Sequence, residues 1–232
     1  MPQWPVLLAL LLLPARAGAE NPQVRLTTPL GSFRLELCTE VSARCLGAAP
    51  NTVANFLRYV DDGDYRDSFV HRSLPGFVIQ GGSFRVEGGF LDVVPTDDPV
   101  ANEFNQSNER GTVSVPLVGD GPTACDTDEN SGTSGWFVNV GDNSELDCGL
   151  FTVFAVVVEP GMEVVDAIAS LTRYNLGGAL STLPLDGYSG AGPVVPHLVY
   201  TNVIRLPEPA TGLQALAAAG ALVALGRHRL RS

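Results

Sequence analysis

The sequence predicts a mainly β domain, either a closed β-barrel or a sandwich, that carries two covering helices. The chain contains many short apolar or β-branched segments, which are separated by turns that contain Gly and Pro. Only two segments place apolar residues at helical spacing. The sequence has no internal repeats and no βαβ units of about 30 residues. This combination favours a barrel or sandwich over a parallel α/β sheet.

The first predicted elements are a β-hairpin and a helix. Residues 24–27 and 32–37 are alternating segments, and Pro29-Leu30-Gly31 between them is typical of a turn. Pro50 then opens a helix over 51–60 that carries Val53, Phe56 and Leu57 on its apolar side.

The remaining predicted elements are further strands and the second helix. The segment 151–158 is an almost continuous apolar run, which predicts a buried strand. After it, the turn Pro160-Gly161 leads into a helix over 163–171. The other predicted strands are 68–72, 77–81, 111–115, 135–140 and 198–206.

Composition excludes several kinds of chemistry. The chain of 232 residues has a net charge of −11, which argues against a nucleic-acid partner because phosphates require a basic face. All 14 basic residues are Arg, so no Schiff-base or P-loop lysine exists. Three His and four Cys leave little for a metal site, and neither a metal nor a cofactor is expected.

The N-terminus predicts a secretory signal peptide over residues 1–19. An apolar run over 5–14 precedes Ala17-Gly18-Ala19, a small-residue pattern that fits cleavage before Glu20. The alternative, an N-terminal core helix, is disfavoured by Pro5 and Pro14.

The C-terminus, residues 207–232, has three parts: Pro207-Glu208-Pro209, an apolar run over 211–225, and an Arg-rich end. This layout resembles the bacterial PEP-CTERM sorting tail, which an exosortase reads and cleaves. A plain C-terminal membrane anchor is the alternative. Both interpretations imply transient or lasting membrane contact. They place residues 20–206, with a net charge of −14, in the periplasm or at the surface or matrix of a Gram-negative-type bacterium.

The cysteines fit an exported protein, because disulfides persist in oxidising compartments. Four cysteines allow three pairings. We favour Cys38 with Cys45 and Cys125 with Cys148, since each pair closes a loop between two elements. A zinc site would require closer pairs such as C-x-x-C, and none occurs.

The segment 69–82 carries the strongest functional signal. It reads F-V-H-R-S-L-P-G-F-V-I-Q-G-G and resembles the cyclophilin signature F-H-R-x-x-P-G-F-x-x-Q-G-G, with Val70 inserted. The resemblance spans roughly 24–206, and other segments that carry it are 51–56, 102–103, 110–114, 134–139, 152–154 and 161–165.

The resemblance implies a closed antiparallel β-barrel with two helices and a peptidyl-prolyl cis-trans isomerase. It assigns catalysis to Arg72 and Gln80, and implies a monomer that acts on Pro-containing segments of client proteins. His71 is grouped with the substrate-binding residues, although a packed strand residue is the alternative because isomerisation needs no proton transfer. The proline pocket would be lined by Phe77, Val78, Phe137 and Leu146.

The chemistry of proline isomerisation is consistent with these residue types. Rotation about an X–Pro bond breaks amide resonance over a barrier of about 18–20 kcal/mol. A catalyst needs a dry pocket for the ring and a donor for the prolyl nitrogen, whose lone pair localises only in the twisted state. Arg72 offers a permanently charged donor, and Gln80 can orient it or hold the substrate carbonyl.

The sequence departs from the family pattern at three sites. Gly135 stands where cyclophilins usually have Gln, Pro116-Leu117 replaces an Ala-Asn pair, and Glu145 replaces a Trp that many members carry. Proline cannot donate an N–H to a bound peptide backbone. The alternative function is therefore a module that binds Pro-containing segments with little catalysis.

Overall fold

The computed structural model describes residues 20–119, 121 and 123–207. The signal peptide expected at 1–19 and nearly all of the tail expected at 207–232 lie outside these residues. In the described part, no helix is long and apolar enough to cross a membrane.

Fifteen strands, two α-helices and three short 3₁₀ helices make up the described part of the domain. The two α-helices are α1 (Pro50–Asp62) and α2 (Met162–Ala169). Three short 3₁₀ helices cover Ser144–Gly149, Gly178–Leu180 and Val195–His197. The strands are β1 (Gln23–Thr28), β2 (Gly31–Leu37), β3 (Ser68–Phe69), β4 (Arg72–Leu74), β5 (Val78–Gly81), β6 (Phe84–Glu87), β7 (Phe90–Val93), β8 (Thr112–Ser114), β9 (Val118–Gly119), β10 (Thr127–Asp128), β11 (Trp136–Asn139), β12 (Val153–Val158), β13 (Arg173–Tyr174), β14 (Leu183–Pro184) and β15 (Tyr200–Arg205).

Eleven strands form one curled antiparallel sheet in the order β4-β5-β11-β8-β12-β2-β1-β15-β3-β6-β7. The prediction of a fully closed barrel is wrong in this respect: no ladder in the described part joins the edge strands β4 and β7. The physical reason is that β3 and β4, which lie near opposite ends of the strand order, are connected by the chain itself and not by hydrogen-bonded pairing with each other. β3 pairs with β15, and two residues later β4 pairs with β5. Between them, the Val70 N–H donates to Val199 and the His71 N–H donates to Gln80.

The predicted hairpin and buried strand are both present. β1 and β2 pair from Gln23↔Glu36 to Thr28↔Gly31, and Gly31 adopts a φ of +134°, which side chains disfavour. All six residues of β12 are buried, as the continuous apolar run predicts.

The helix α1 covers one side of the sheet and begins at a cap that comes from elsewhere in the chain. The Glu103 carboxylate accepts hydrogen bonds from the backbone N–H groups of Asn51 (3.1 Å) and Thr52 (2.7 Å). A carboxylate at this end also complements the helix dipole. The buried face of α1 packs Phe56 against Phe154 of β12, with ring centroids 5.1 Å apart. Gly63, in the left-handed conformation, ends the helix.

The β6–β7 hairpin was not predicted. Its residues are mostly half-buried or exposed, and Phe90 at its tip is 78% exposed. The segment therefore lacks the inward apolar alternation by which half-buried strands are recognised.

Candidate functional site

The β4–β5 hairpin presents the two polar side chains of the candidate site. Arg72 and Gln80 are directly opposite each other in the antiparallel register. The Arg72 Nη1 donates to Gln80 Oε1 at 3.3 Å. Gly76 at the turn has a φ of +73°, so glycine allows the tight connection between the strands. The sheet pairing thus sets the spacing of the two side chains.

The guanidinium of Arg72 has no carboxylate partner within salt-bridge distance in the described part of the chain. It is half-buried and lies 5.8 Å from the ring centroid of Phe77. Partial burial lowers the pKa of Arg72, although an arginine keeps its charge at neutral pH. Its remaining N–H donors are therefore available to a bound molecule.

An apolar groove of about 270 Å³ lies beside this pair. Its floor consists of Val78 from β5, Phe137 from β11 and Leu146 from the Ser144–Gly149 helix, which are 1%, 4% and 5% exposed. Phe137 packs edge-on against Phe151 with ring centroids 5.9 Å apart. Such a floor suits a small apolar ring.

Hydrogen bonds fix the 3₁₀ helix that carries Leu146. The Asn143 side chain donates to the Phe77 carbonyl at 2.8 Å, which ties the start of this helix to the β4–β5 hairpin. Asp147 accepts hydrogen bonds from the backbone and side-chain nitrogens of Asn108, at 2.9 and 3.0 Å. The groove floor is thus positioned by hydrogen bonds to the β4–β5 hairpin and to Asn108.

One wall of the groove comes from the loop 116–131, which contains β9 and β10. It contributes Pro116, Leu117 and Ala124. Pro116-Leu117 departs from the family pattern in the sequence alone, whereas the sequence did not predict that Ala124 and Phe151 line the groove. Neither residue lies in a recognisable motif, although Ala124 directly precedes Cys125 and Phe151 opens the apolar run 151–158.

Two of the departures from the family pattern, Gly135 and Pro116, lie side by side and compensate each other in volume. A Cβ on Gly135 would lie 2.6 Å from Pro116 Cγ and 3.1 Å from Ser83 Oγ. The proline ring therefore occupies the space where a side chain at 135 would begin, so that a Gln at 135 does not fit beside Pro116.

His71 does not line the groove, although the sequence analysis grouped it with the substrate-binding residues. It is 3% exposed and packs edge-on against Phe84 with ring centroids 4.9 Å apart. Burial, together with the charge of Arg72, lowers the pKa of His71 from 6.5 to about 4. A neutral imidazole behind Arg72 adds no second charge to the site.

The structure forms both expected disulfides, Cys38–Cys45 and Cys125–Cys148. The first is fully buried beside Val156. Within residues 20–119, 121 and 123–207, no three His, Cys, Asp or Glu side chains lie close enough together to hold a metal ion.

The comparisons with known proteins agree with this geometry. Residues 23–182 match the family model described as cyclophilin type peptidyl-prolyl cis-trans isomerase/CLD. The chain belongs to the cyclophilin family. This cyclophilin is 36% identical over 170 residues to "Peptidyl-prolyl cis-trans isomerase A" of Dickeya dadantii, covering 71% of this chain and 80% of that protein.

Two further similarities extend over most of the domain. This cyclophilin is 34% identical over 179 residues to "Peptidyl-prolyl cis-trans isomerase" of Acinetobacter baylyi, and the match covers 74% of this chain and 84% of that protein. It also shares its fold with a Cryptosporidium parvum cyclophilin type isomerase solved in the presence of the dipeptide Ala-Pro. That match has a TM-score of 0.55 and 19% identity, and covers 80% of this chain and 99% of the other.

Proposed function

We propose that this cyclophilin catalyses the cis-trans isomerisation of X–Pro bonds in secreted or envelope proteins and thereby assists their folding. The observation that carries the proposal is the juxtaposition of an Arg72 guanidinium without a carboxylate partner and an apolar groove on the same side of the β4–β5 hairpin.

The roles of the side chains follow from what changes during the reaction. In the planar amide the prolyl nitrogen shares its lone pair with the carbonyl and is a poor acceptor. In the twisted transition state the lone pair localises, and Arg72 donates to it. Because this hydrogen bond exists mainly in the transition state, it raises the rate rather than merely the affinity. Gln80 holds the guanidinium in place through the 3.3 Å hydrogen bond.

The groove floor supplies the binding energy. A proline ring that lies on Phe137, between Val78 and Leu146, exchanges water for apolar contact. No covalent intermediate and no proton transfer are required. The neutral His71 behind Arg72 is consistent with such a mechanism.

Export rests on the two ends of the sequence and on the cysteines. The apolar leader, the Pro207-Glu208-Pro209 tail and the Arg-rich end support secretion and exosortase processing, with transient membrane contact through the tail. Two disulfides and no free cysteine in the described part fit an oxidising compartment. A monomer is the simplest state in which the groove stays open.

Mass analysis of surface material from a host with an exosortase should show loss of the chain after Pro209. Retention of Arg227 to Arg231 would instead favour a permanent anchor.

A second candidate function is a Pro-segment binding module with little turnover. Pro116 in the groove wall favours it, because that residue lacks the N–H that would donate a hydrogen bond to a carbonyl of a bound peptide. A protease-coupled or NMR-exchange assay with a Pro-containing peptide separates the two functions. Accelerated isomerisation supports the enzyme, whereas binding without acceleration supports the module.

A further inference from the structure

The disulfide Cys125–Cys148 lies at the edge of the groove. Cys125 follows Ala124, which lines the groove wall, and Cys148 lies two residues after Leu146 of the groove floor. The bridge joins the loop 116–131 to the Ser144–Gly149 helix with a Cα–Cα distance of 4.9 Å. The contact is close, since a Cβ on Gly149 would collide with the Ala124 carbonyl. The same disulfide therefore holds the wall and the floor together.

The two disulfides differ in their accessibility. Cys125 and Cys148 are both exposed, whereas Cys38 and Cys45 are 0% exposed. Thiol–disulfide exchange requires a thiolate to reach a sulfur atom. A dithiol in solution can therefore reach the bridge at the groove, while the buried bridge is protected.

Little else holds the tip of this loop against the domain. No described residue of the loop 116–131 is buried. In the described part of 117–126, every hydrogen bond goes to another residue of the same loop, as in the bonds from Thr123 to Asp126. The nearest bond to the helix is at the base of the loop, from Thr127 Oγ1 to the Gly149 carbonyl at 2.8 Å. A segment with so few buried contacts loses its position when its covalent tether opens.

We propose that Cys125–Cys148 is a redox switch. It positions the groove wall formed by the loop 116–131 and so controls the affinity for the Pro-containing segment. This proposal rests on the proposed function, because it concerns regulation of the same site. In the step, a thiolate of a dithiol attacks one sulfur and forms a mixed disulfide, and the second thiol of the reductant resolves it. Two electrons and two protons reach the protein. The products are the Cys125 and Cys148 thiols and the oxidised reductant.

The effect of reduction should fall on binding rather than on the chemical step. Arg72 and Gln80 belong to the β4–β5 hairpin, which the loop does not carry. Loss of the wall removes Leu117 and Ala124 from the lining of the groove, so that a bound segment would lose apolar contact there. We expect KM to rise about three- to tenfold while kcat changes less than about twofold.

The test compares the oxidised protein with protein treated with a mild dithiol, and mass mapping identifies the thiols formed. The expected result is that only Cys125 and Cys148 become thiols, that KM rises, and that reoxidation restores it. The variant Cys125→Ser/Cys148→Ser should have the high KM without reductant and should not respond to it. A KM that is unchanged after reduction of this bridge, or a response of the double variant to the dithiol, would overturn the proposal.

Two measurements do not depend on catalytic activity. They keep the test of the redox switch separate from the test of the proposed isomerase function. Hydrogen exchange of the backbone amides in 117–126 should accelerate on reduction, and the Kd for a Pro-containing peptide should rise. Unchanged exchange and an unchanged Kd after reduction would contradict the switch. If oxidised protein binds the peptide without isomerising it, the proposed catalysis fails, and the change in Kd still decides for or against the switch.

Discussion

Replacing Arg72 with alanine removes the donor on which the proposed catalysis depends. A single preorganised donor contributes about 3 kcal/mol to transition-state stabilisation, which corresponds to a fall of about 10²-fold in kcat/KM. Arg72→Lys keeps the charge but loses the planar fork, so it should recover less than about a tenth of the wild-type value.

The same substitution should leave the fold nearly intact. Arg72 is half-buried, has no ion pair in the described part, and makes one side-chain hydrogen bond of 3.3 Å to Gln80. The loss of one such bond lowers the free energy of unfolding by about 1 kcal/mol or less. Urea denaturation measures this change, and NMR exchange on a Pro-containing peptide measures the rate.

Arg58→Ala is the matched control for this experiment. It removes the same charge from the surface helix α1, where Arg58 pairs with Asp97 at 3.1 Å and is 53% exposed. Exposed pairs of this kind contribute about 0–1 kcal/mol to stability, and the isomerisation rate should stay at the wild-type value. If Arg72→Ala and Arg58→Ala isomerise the peptide equally fast, the assignment of Arg72 as the donor is refuted.

Three further perturbations test the groove and its surroundings. Phe137→Ala should raise KM and lower the free energy of unfolding by about 3–5 kcal/mol, because the ring is 4% exposed and forms the groove floor; unchanged urea midpoint and KM would refute this placement. His71 takes up a proton below pH 6.5 in the unfolded chain but only below about pH 4 in the folded protein. Stability should therefore fall by up to about 3 kcal/mol as the pH drops through that window, and an equal pH slope in His71→Gln would contradict the assignment. Gly135→Ala should cost about 1–3 kcal/mol, because the new Cβ would lie 2.6 Å from Pro116. Pro116→Ala in the same chain should relieve most of that cost, and strict additivity of the two changes in urea denaturation would argue against the contact.

The sequence predicts the elements whose pattern is local and strong. Helix α1 was expected over 51–60 and runs over Pro50–Asp62, because Pro50 and Gly63 mark its ends in the sequence itself. The hairpin around the Pro75-Gly76 turn was expected for similar reasons, but the strand predicted over 68–72 is divided into β3 (Ser68–Phe69) and β4 (Arg72–Leu74). The groove residues Arg72, Phe77 and Gln80 came from one continuous motif, which also fixes their spacing.

Features that depend on long-range contacts were not predicted. The carboxylate that caps α1 belongs to Glu103, which lies about 50 residues away in the chain. Ala124 lines the groove next to Cys125, whose bridge to Cys148 joins two segments that lie 23 residues apart in the chain. The sheet likewise stays open because β3 pairs with β15 whereas β4 pairs with β5. The order of strands in the sequence does not predict these pairings.

NMR exchange spectroscopy on a Pro-containing peptide with substoichiometric protein tests catalysis at the groove without a coupled protease. The wild-type protein should give exchange cross-peaks between the cis and trans forms of the peptide. With Arg72→Ala these cross-peaks should disappear, while the peptide resonances still report binding at the groove. Binding of the peptide to the wild-type protein without any cis-trans exchange cross-peaks would show that the groove binds the peptide but does not catalyse isomerisation.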